Sequence, residues 1–393
     1  MRAIDVIFET LAHFVKRDDT PPPGIPARVE PQFEREFVSL CDWHSLSPVV
    51  AESLGRLALG PVLSDFGYRR LRSMAAAART RNETVIGDLS TLVAAFEEKR
   101  LPYMVMDDAR SALALYPDPG LRPIETITLL VREQDWDEIT GICGGLGYER
   151  DIRDPEFNGG DEALEYYQHF SPCRLRNERG TELVLTFRLF DLGGPESEEA
   201  AWSNAQRIEG GAVECMVTGL GDHFLRTCMR LNMTRFERLM YAVDAGLLMS
   251  QHGGEIDWAY IDARARARSM YPALYCAGDW VRSTLAPGAT FPLGPPPGRI
   301  RRNIFELIWR PGRPGLLAGK RIRLHRFRFY FIESGRVPDK IRLVTKIVSP
   351  RPDWVSAFFG SPYKPWLKIR FIVNTFRYRL GTPLPRGEDL HYQ

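Results

Sequence analysis

The spacing of apolar residues predicts a helical N-terminal region. In its second half apolar side chains recur three or four positions apart, as in Val85, Leu89 and Leu92, which is the period of a helix with one buried face. Upstream, the proline-rich stretch 21–26 breaks any helix, because proline lacks a backbone donor and restricts the residue before it. We therefore predict a helical lead-in of three or four helices within residues 1–98.

A different pattern begins at Leu101 and predicts a small sheet. The runs PYMVM, TITLLV and ELVLTFRLF are rich in β-branched and apolar residues, which is typical of buried strands, and the third run, residues 182–190, is the clearest of them. Helical segments follow the first two runs, and the one at 136–143 ends in GGLGY, a glycine C-cap. The predicted fold class is α+β, with a small mixed β-sheet in residues 99–205 flanked by N-terminal and C-terminal helical regions.

Helical periodicity returns over residues 206–290, where apolar residues such as Leu225 and Cys228 share a face. This segment predicts a second helical domain that closes over the sheet. The FPLGPPPG run that follows is a linker signal. Residues 291–393 are therefore predicted to be a linker and a C-terminal region in which arginine alternates with Phe, Tyr and Trp.

Charge is distributed unevenly along the 393-residue chain, although its formal net charge is only +2. Residues 301–393 carry 20 Lys and Arg against 6 Asp and Glu, whereas the first 300 residues carry 32 against 44. A basic region of this kind is suited to nucleic acid, to anionic lipid or to the acidic body of its own chain. The sequence leaves these three alternatives open.

Neither a membrane-spanning segment nor a common metal motif is present in the sequence. No stretch approaches the roughly 18 uninterrupted apolar residues that cross a bilayer, and Asp5 and Glu9 lie where a signal peptide is apolar. The 6 cysteines and 7 histidines are scattered, without CxxC or HExxH spacing. We predict a cytoplasmic protein with reduced, mostly buried thiols; peripheral association with the membrane is the alternative location.

One ordered series of motifs carries the functional prediction. Along the chain it consists of Met106-Asp107-Asp108, YPDPGLRP at 116–123, the TITLLV strand, and Gly147-Tyr148. The series resembles that of uncharacterised bacterial nucleotidyltransferases of the NTP-transferase-5 type, in which a strand ending in Leu-Lys-Gly precedes YPDPGLRP, an Asp-x-Asp strand and a later Gly-Tyr. The likeness covers most of residues 35–300, with weaker matches at Asp244 and Asp257, and it implies a sheet of nucleotidyltransferase type.

The resemblance also implies a metal site that this sequence has lost. Nucleotidyl transfer uses two Mg²⁺ ions held by carboxylates, two of them at i and i+2 on one strand and a third on a neighbouring strand. The paired positions here are Thr126 and Thr128, while Val184 and Thr186 replace the family's Asp and His on the next strand. These four positions are therefore degenerate, and we expect no bound metal or cofactor and no catalytic residue among them.

Three other acids and one arginine are candidates for any remaining chemistry. The family's Lys-Gly is Asp107-Asp108 here, and two carboxylates repel a triphosphate. Together with Glu125 they are nevertheless the candidate ligands of a relocated site, which would use Mg²⁺ and a nucleoside triphosphate. Strand alternation points Glu125 to the face opposite the paired positions. Arg122 is the substrate-side candidate, or else it pairs with Asp118 to hold the turn.

These observations favour a pseudoenzyme of nucleotidyltransferase type that binds a protein partner or serves as a scaffold in a biosynthetic or modification pathway. The first alternative is an active Mg-dependent nucleotidyltransferase with relocated ligands. The second is a peripheral membrane or nucleic-acid binder that acts through residues 301–393, where Trp366, Ile369 and Val373 fall on one helical stripe opposite Lys364. For that stripe, burial against the main domain is the favoured prediction.

Overall fold

The N-terminal region is helical, as the apolar spacing predicts. The computed structural model describes residues 3–150, 172–190, 198–299 and 362–379, apart from residues 19, 22–24, 26–29, 235, 237 and 269, together with residues 352, 355 and 356. The first four helices are α1 (Ala3–Lys16), α2 (Pro31–Trp43), α3 (Ser47–Arg56) and α4 (Asp65–Glu98). The proline-rich stretch separates α1 from α2, as expected.

A mixed sheet of seven strands follows in the described part of the chain, in the order β3-β4-β5-β2-β1-β7-β6. Its strands are β1 (Tyr103–Met106), β2 (Thr126–Val131), β3 (Glu149–Arg150), β4 (Cys173–Arg176), β5 (Glu182–Thr186), β6 (Gln206–Ile208) and β7 (Cys215–Val217). At its centre β2 pairs antiparallel with β1 and parallel with β5. The helices α5 (Asp107–Ala114), α6 (Trp136–Gly145) and α7 (Glu199–Ser203) lie between strands in the sequence.

Five further helices with described bounds follow the last strand. They are α8 (Leu220–Met233), α9 (Met240–His252), α10 (Trp258–Ala267), α11 (Tyr271–Thr284) and α12 (Pro365–Arg379). A search of the described residues finds no helix that is both long enough and apolar enough to cross a bilayer.

The centre of the sheet is buried on both faces, and the alternation of side chains along each strand decides which core each residue enters. Val105 and Leu129 pack with the second half of α4 and with α6. Met104, Met106 and Leu130 point the other way and pack with the helices on the opposite side, including α8 and α9. Thr126 and Thr128 alternate with Leu129 and therefore lie on the α8–α9 face.

Helix α4 belongs to both cores. It has 34 residues, which at 1.5 Å per residue gives a length of about 51 Å. Leu71 in its first half packs with the α1–α3 and α8–α11 helices, whereas Leu89 in its second half packs under the sheet. The helical lead-in is thus continuous with the sheet domain through this one helix.

The YPDPGLRP block is fixed to α4 by Asn82, a side chain that is only 1% exposed. The Asn82 amide donates to the carbonyls of Pro119 and Arg122, both at 2.7 Å, and its oxygen accepts from the Ile124 amide at 2.9 Å. Asp118 caps the short 3₁₀ turn Pro119–Leu121 by accepting from the Gly120 amide. The block is therefore the support that positions the start of β2.

Several predictions made from the sequence are confirmed. The fold is α+β with helical regions on both sides of the sheet, and TITLLV coincides with β2. Helix α6 ends as the glycine pattern predicts, since Gly147 adopts φ +79° and the Tyr148 amide donates to the Cys143 carbonyl. All six cysteines are free thiols, five of them buried.

Other predictions need correction. The strand predicted over 182–190 ends at Thr186, and β6 and β7 lie beyond residue 205, where we placed the start of the helical domain. The sheet therefore continues to Val217. Residues 301–351, in the basic C-terminal region, lie outside the described residues.

The predicted burial of the C-terminal stripe is also wrong for the three residues that the structure describes. Trp366, Ile369 and Val373 are 53%, 65% and 42% exposed. Leu367, one position from Trp366, is instead 3% exposed. The helix is thus buried through a different face from the one predicted.

Candidate functional site

The three positions that the resemblance assigns to metal-binding carboxylates, Thr126, Thr128 and Val184, lie side by side on the sheet. Thr128 is directly opposite Val184 on β5 and opposite Met106 on β1. Thr126 lies two residues away on the same face, and the hydroxyl oxygens of Thr126 and Thr128 are 3.4 Å apart. Thr128 is 3% exposed and Val184 is 8% exposed. The three residues are therefore neighbours on adjacent strands, and two of them are nearly closed to solvent.

Thr186, the fourth position that the resemblance assigns to this site, is farther along β5, opposite Leu130. Its hydroxyl bridges to the backbone of Arg188, accepting from the amide at 3.2 Å and donating to the carbonyl at 3.1 Å. It therefore closes a local turn at the end of the strand.

The acid on this face that lies nearest in register is Glu182, which is opposite Thr126. Its carboxylate accepts from Arg174 at 2.6 Å and from Arg176 at 3.4 Å. Both arginines come from β4, the strand that pairs with β5 on its other side. Glu182 is thus bound within the sheet and is displaced from the family's third ligand position, as its spacing from Val184 indicates.

Asp107 is joined to the helical domain by two arginines of α8. Arg226 donates to its carboxylate at 2.5 and 2.8 Å, and Arg230 also forms an ion pair with it. Asp107 has φ +54°, a left-handed conformation that costs a non-glycine residue about 1–2 kcal/mol. Burial by itself raises the pKa of this carboxyl, but Arg226 and Arg230 outweigh it and hold the pKa well below its usual range. The group is therefore a paired carboxylate.

Asp108 is bound to Arg122, and so is Asp244 of α9. Arg122 donates to Asp108 at 2.9 Å and to both oxygens of Asp244 at 2.9–3.0 Å. All three side chains are at most 3% exposed. The predicted Arg122–Asp118 pair is wrong, because Asp118 pairs with Arg79 on the exposed side of the turn.

Glu125, the third candidate ligand, lies just before β2 and is 50% exposed. Its carboxylate pairs with Arg238 at 2.5 Å, and its backbone amide donates to Asp108 at 3.3 Å. Asp107, Asp108 and Glu125 are thus near one another along the chain but have separate arginine partners. The structure does not bring their carboxylates together as one ligand set.

Two tyrosines complete the contact between the sheet and the helical domain. The Tyr116 hydroxyl donates to Asp244 at 2.7 Å, and burial, reinforced by Asp244, raises its pKa. The ring of Tyr241 lies 5.5 Å from the Arg122 guanidinium and 4.9 Å from that of Arg230. We call the set of these side chains the interdomain network; its members are Asp107, Asp108, Tyr116, Arg122, Arg226, Arg230, Tyr241 and Asp244.

A second buried polar group lies beside this network and gave no signal in the sequence. Ser111 of α5 and His223 of α8 form a hydrogen bond of 3.0 Å, and both are 1% exposed. Arg110 donates to the Thr218 carbonyl at 2.7 Å. Burial, followed by the charge of Arg110, lowers the pKa of His223 well below its usual value, so this histidine is neutral at physiological pH.

Mg²⁺, the metal that the resemblance implies, does not fit the described residues. It requires several oxygen ligands in octahedral geometry. Across the described residues no group of three or more His, Cys, Asp or Glu side chains is placed to hold a metal ion. The acids near the strand positions already accept from arginines.

The sequence pointed to these acids but not to their arginine partners. Arg226 is 119 residues from Asp107, and Asp244 is 122 residues from Arg122. Arginines on a helix face usually meet solvent, so nothing local marked Arg226 or Arg230. The weak family match at Asp244 was the one available signal. The match at Asp257 corresponds to a helix cap, since its carboxylate accepts from the Tyr260 amide.

Comparison with known proteins agrees with the fold and with the motif series. The model of a family described as uncharacterised nucleotidyltransferase matches residues 31–285. This range covers most of the described helices and the whole sheet. No curated protein and no solved structure matches the chain.

Proposed function

We propose that this chain, which belongs to the uncharacterised nucleotidyltransferase family, is a pseudoenzyme that binds a protein partner or acts as a scaffold in a biosynthetic or modification pathway. One observation carries the proposal. The positions that the resemblance assigns to metal-binding carboxylates are Thr126, Thr128 and Val184, and the neighbouring acids Asp107, Asp108 and Glu182 are each bound by arginine.

The energetics of the interdomain network support this proposal. A metal at Asp107 would have to displace Arg226 and Arg230, and a metal at Asp108 would have to displace Arg122. Removing one partner of a buried ion pair typically costs about 3–5 kcal/mol, because a charge is left uncompensated. The arginines released would also lie beside the bound cation and repel it.

The same network gives the acids a structural role. Asp107, Asp108 and Arg122 come from the sheet domain, whereas Arg226, Arg230 and Asp244 come from α8 and α9. Their pairing ties the two parts together beside the strands that carry Thr128 and Val184. In this proposal the protein keeps a fixed relation between sheet and helices and offers its surface to a partner.

Calorimetry with each nucleoside triphosphate, with and without Mg²⁺, tests the proposal. We expect no Mg²⁺-dependent binding. Micromolar, metal-dependent binding, or incorporation of label from an α-labelled triphosphate, would instead support the alternative of an active transferase with ligands relocated to Asp107, Asp108 or Glu125.

Restoring the carboxylates provides a positive control for the same face. The variant Thr126→Asp/Thr128→Asp/Val184→Asp places three acids at adjacent register positions, where they repel one another. We expect its melting temperature to be lower than that of the wild type and to rise on addition of Mg²⁺ or Mn²⁺. The matched variant Thr126→Asn/Thr128→Asn/Val184→Asn has nearly the same shape without charge and should show no metal-dependent rise. A metal-dependent rise in the wild-type protein would contradict the proposal.

A further inference from the structure

The most concentrated patch of exposed apolar side chains lies on and just before α12. Among the described residues six large hydrophobic side chains are exposed, and four of them fall within residues 363–373. They are Tyr363, Trp366, Ile369 and Val373, with exposed fractions of 38%, 53%, 65% and 42%. We call these four residues the α12 patch.

The patch is on one side of a helix whose other side is anchored. Trp366, Ile369 and Val373 have the i, i+3, i+7 spacing that places side chains on one stripe. Leu367 lies 100° around the helix from Trp366 and is 3% exposed. The helix is therefore anchored through a buried side chain. The patch is exposed even though α12 is not an isolated segment.

Basic side chains border the patch. Lys364 is exposed and Lys368 is partly exposed, and neither forms an ion pair with an acid among the described residues. Arg370, Arg377 and Arg379 are further basic residues of the same helix, and residues 301–393 as a whole carry 20 Lys and Arg against 6 Asp and Glu. Apolar and cationic groups thus occur together on one short element.

We infer that the α12 patch docks on the surface of an anionic phospholipid bilayer. A helix that lies in the interface places aliphatic and aromatic side chains among the acyl chains while its lysines reach the lipid headgroups. Tyr363 and Trp366 are the residue types favoured at that depth. Anionic lipid attracts a neighbouring polybasic segment, so the charge of the C-terminal region is complementary to the surface.

A bilayer suits the patch better than nucleic acid does. Proteins that bind single-stranded nucleic acid stack bases on aromatic rings and pair phosphates with cations. Two of the four patch residues, Ile369 and Val373, have no ring to stack on. Aliphatic side chains exposed in a row gain little from a phosphate backbone, but they gain from removal into lipid.

Co-sedimentation of the full chain with vesicles tests the inference. We expect binding to vesicles of phosphatidylcholine and phosphatidylserine, with weak binding to phosphatidylcholine alone and a loss of binding at high salt. Ile369→Glu should weaken binding by at least about tenfold, because it places a charge where the acyl chains begin. Since Ile369 is 65% exposed, the variant should fold, which circular dichroism will verify.

The chain offers matched controls. Phe66 is 69% exposed and lies on α4, away from α12 in the sequence, so Phe66→Glu should leave vesicle binding unchanged. Lys364→Gln/Lys368→Gln should weaken binding to anionic vesicles, whereas the equally conservative pair Lys16→Gln/Lys99→Gln should not.

Three results would overturn the inference. They are absence of vesicle binding by the wild type, equal binding by the Ile369→Glu and Phe66→Glu variants, and tighter binding to an RNA or DNA oligonucleotide that Ile369→Glu leaves intact. The last result would assign the basic region to nucleic acid instead. None of the three depends on whether the protein transfers nucleotides.

Discussion

Arginine is the cationic partner of each acid in the interdomain network. A guanidinium presents its donors in a fixed planar fork, which matches a carboxylate and allows one side chain to serve two acids. Arg122 uses this geometry to join Asp108 to Asp244. A lysine at the same position has a single ammonium and could not make both contacts with the same directionality.

Replacing Arg122 should therefore destabilise the protein strongly. Arg122→Met leaves Asp108 and Asp244 buried without a cation, and we expect the free energy of unfolding to fall by about 3–5 kcal/mol. Arg122→Lys should recover only part of that loss. Urea unfolding followed by circular dichroism measures both effects.

The control for Arg122 is Arg79, which also pairs with an aspartate, Asp118, but is 50% exposed. Exposed pairs contribute about 0–1 kcal/mol, so Arg79→Met should be nearly neutral. If Arg122→Met and Arg79→Met lower the free energy of unfolding equally, the buried network does not stabilise the protein as proposed.

His223 predicts a dependence of stability on pH. In the folded protein its pKa is well below the usual value because of burial and Arg110, whereas in the unfolded chain it titrates near 6.5. The unfolded state therefore binds a proton that the folded state does not. The contribution of His223 to the free energy of unfolding is fully present above about pH 7. It is lost as the pH falls below about 6.5, by up to about 1.4 kcal/mol per pH unit.

The free energy of unfolding measured from about pH 7.5 to about pH 5 tests this dependence. His223→Gln should have a shallower slope than the wild type even if it is less stable overall. His252→Gln, at a partly exposed residue that faces Glu255, is the matched replacement of a histidine outside the buried core. If His223→Gln and the wild type have the same slope, His223 is not the group responsible.

At the scale of elements, α4 determines where β2, the strand that carries Thr126 and Thr128, begins. Asn82 satisfies two carbonyls and one amide of the YPDPGLRP block and of the residues that lead into β2. Such loop groups have no partner in a helix or sheet, and burial without one is costly. One asparagine on a helix thus replaces the hydrogen bonds that the irregular segment cannot make with itself.

We expect Asn82→Ala to lower the free energy of unfolding by at least about 2 kcal/mol, because it leaves the buried Arg122 carbonyl and the buried Ile124 amide unsatisfied. Thr84→Ala, at an exposed residue of the same helix whose hydroxyl bonds only the Thr80 carbonyl, should be close to neutral. Denaturant midpoints compare the two variants. A neutral Asn82→Ala would mean that water replaces the side chain without loss.

The elements that the sequence predicted correctly are those with a strong local pattern. The apolar period of α4, the β-branched run of β2 and the glycine cap of α6 each specify their structure within a dozen residues. The short strands β6 and β7 have three residues each and no such pattern. They form because Val217 pairs with Val105 on β1, a contact between residues far apart in the chain.

The same distinction applies to the candidate site. Register and alternation were enough to place Thr126, Thr128 and Val184 together, because neighbouring strands align residues by a fixed geometry. The pairing of Asp107 with Arg226 depends on how α8 lies over the sheet, which no local pattern encodes. Which face of α12 is buried could not be predicted for the same reason, since two apolar faces competed for one contact.

At the scale of the whole molecule, the sheet and the helical regions share a core. Met104, Met106 and Leu130 of the sheet pack with residues of α1–α3 and α8–α11. Helix α4 continues from this core into the one beneath the sheet. The sheet and the helices around it are therefore expected to unfold together.

Unfolding in urea should show one transition for residues 1–290. Fluorescence of Trp136 in the sheet domain and of Trp280 in α11, each isolated by replacing the other tryptophans with Phe, should change at the same midpoint as the far-ultraviolet circular dichroism. Two separated midpoints would show that the shared core does not couple the parts.

The choice of guanidinium groups has a consequence for regulation. Arginine keeps its proton throughout the range of pH that a cell experiences. Acidification or alkalinisation therefore leaves the ion pairs of Asp107, Asp108 and Asp244 intact. Histidine or lysine partners would have made the joint between sheet and helices adjustable. The contact between sheet and helices is therefore permanent across this range of pH. Only substitution of its residues would break it.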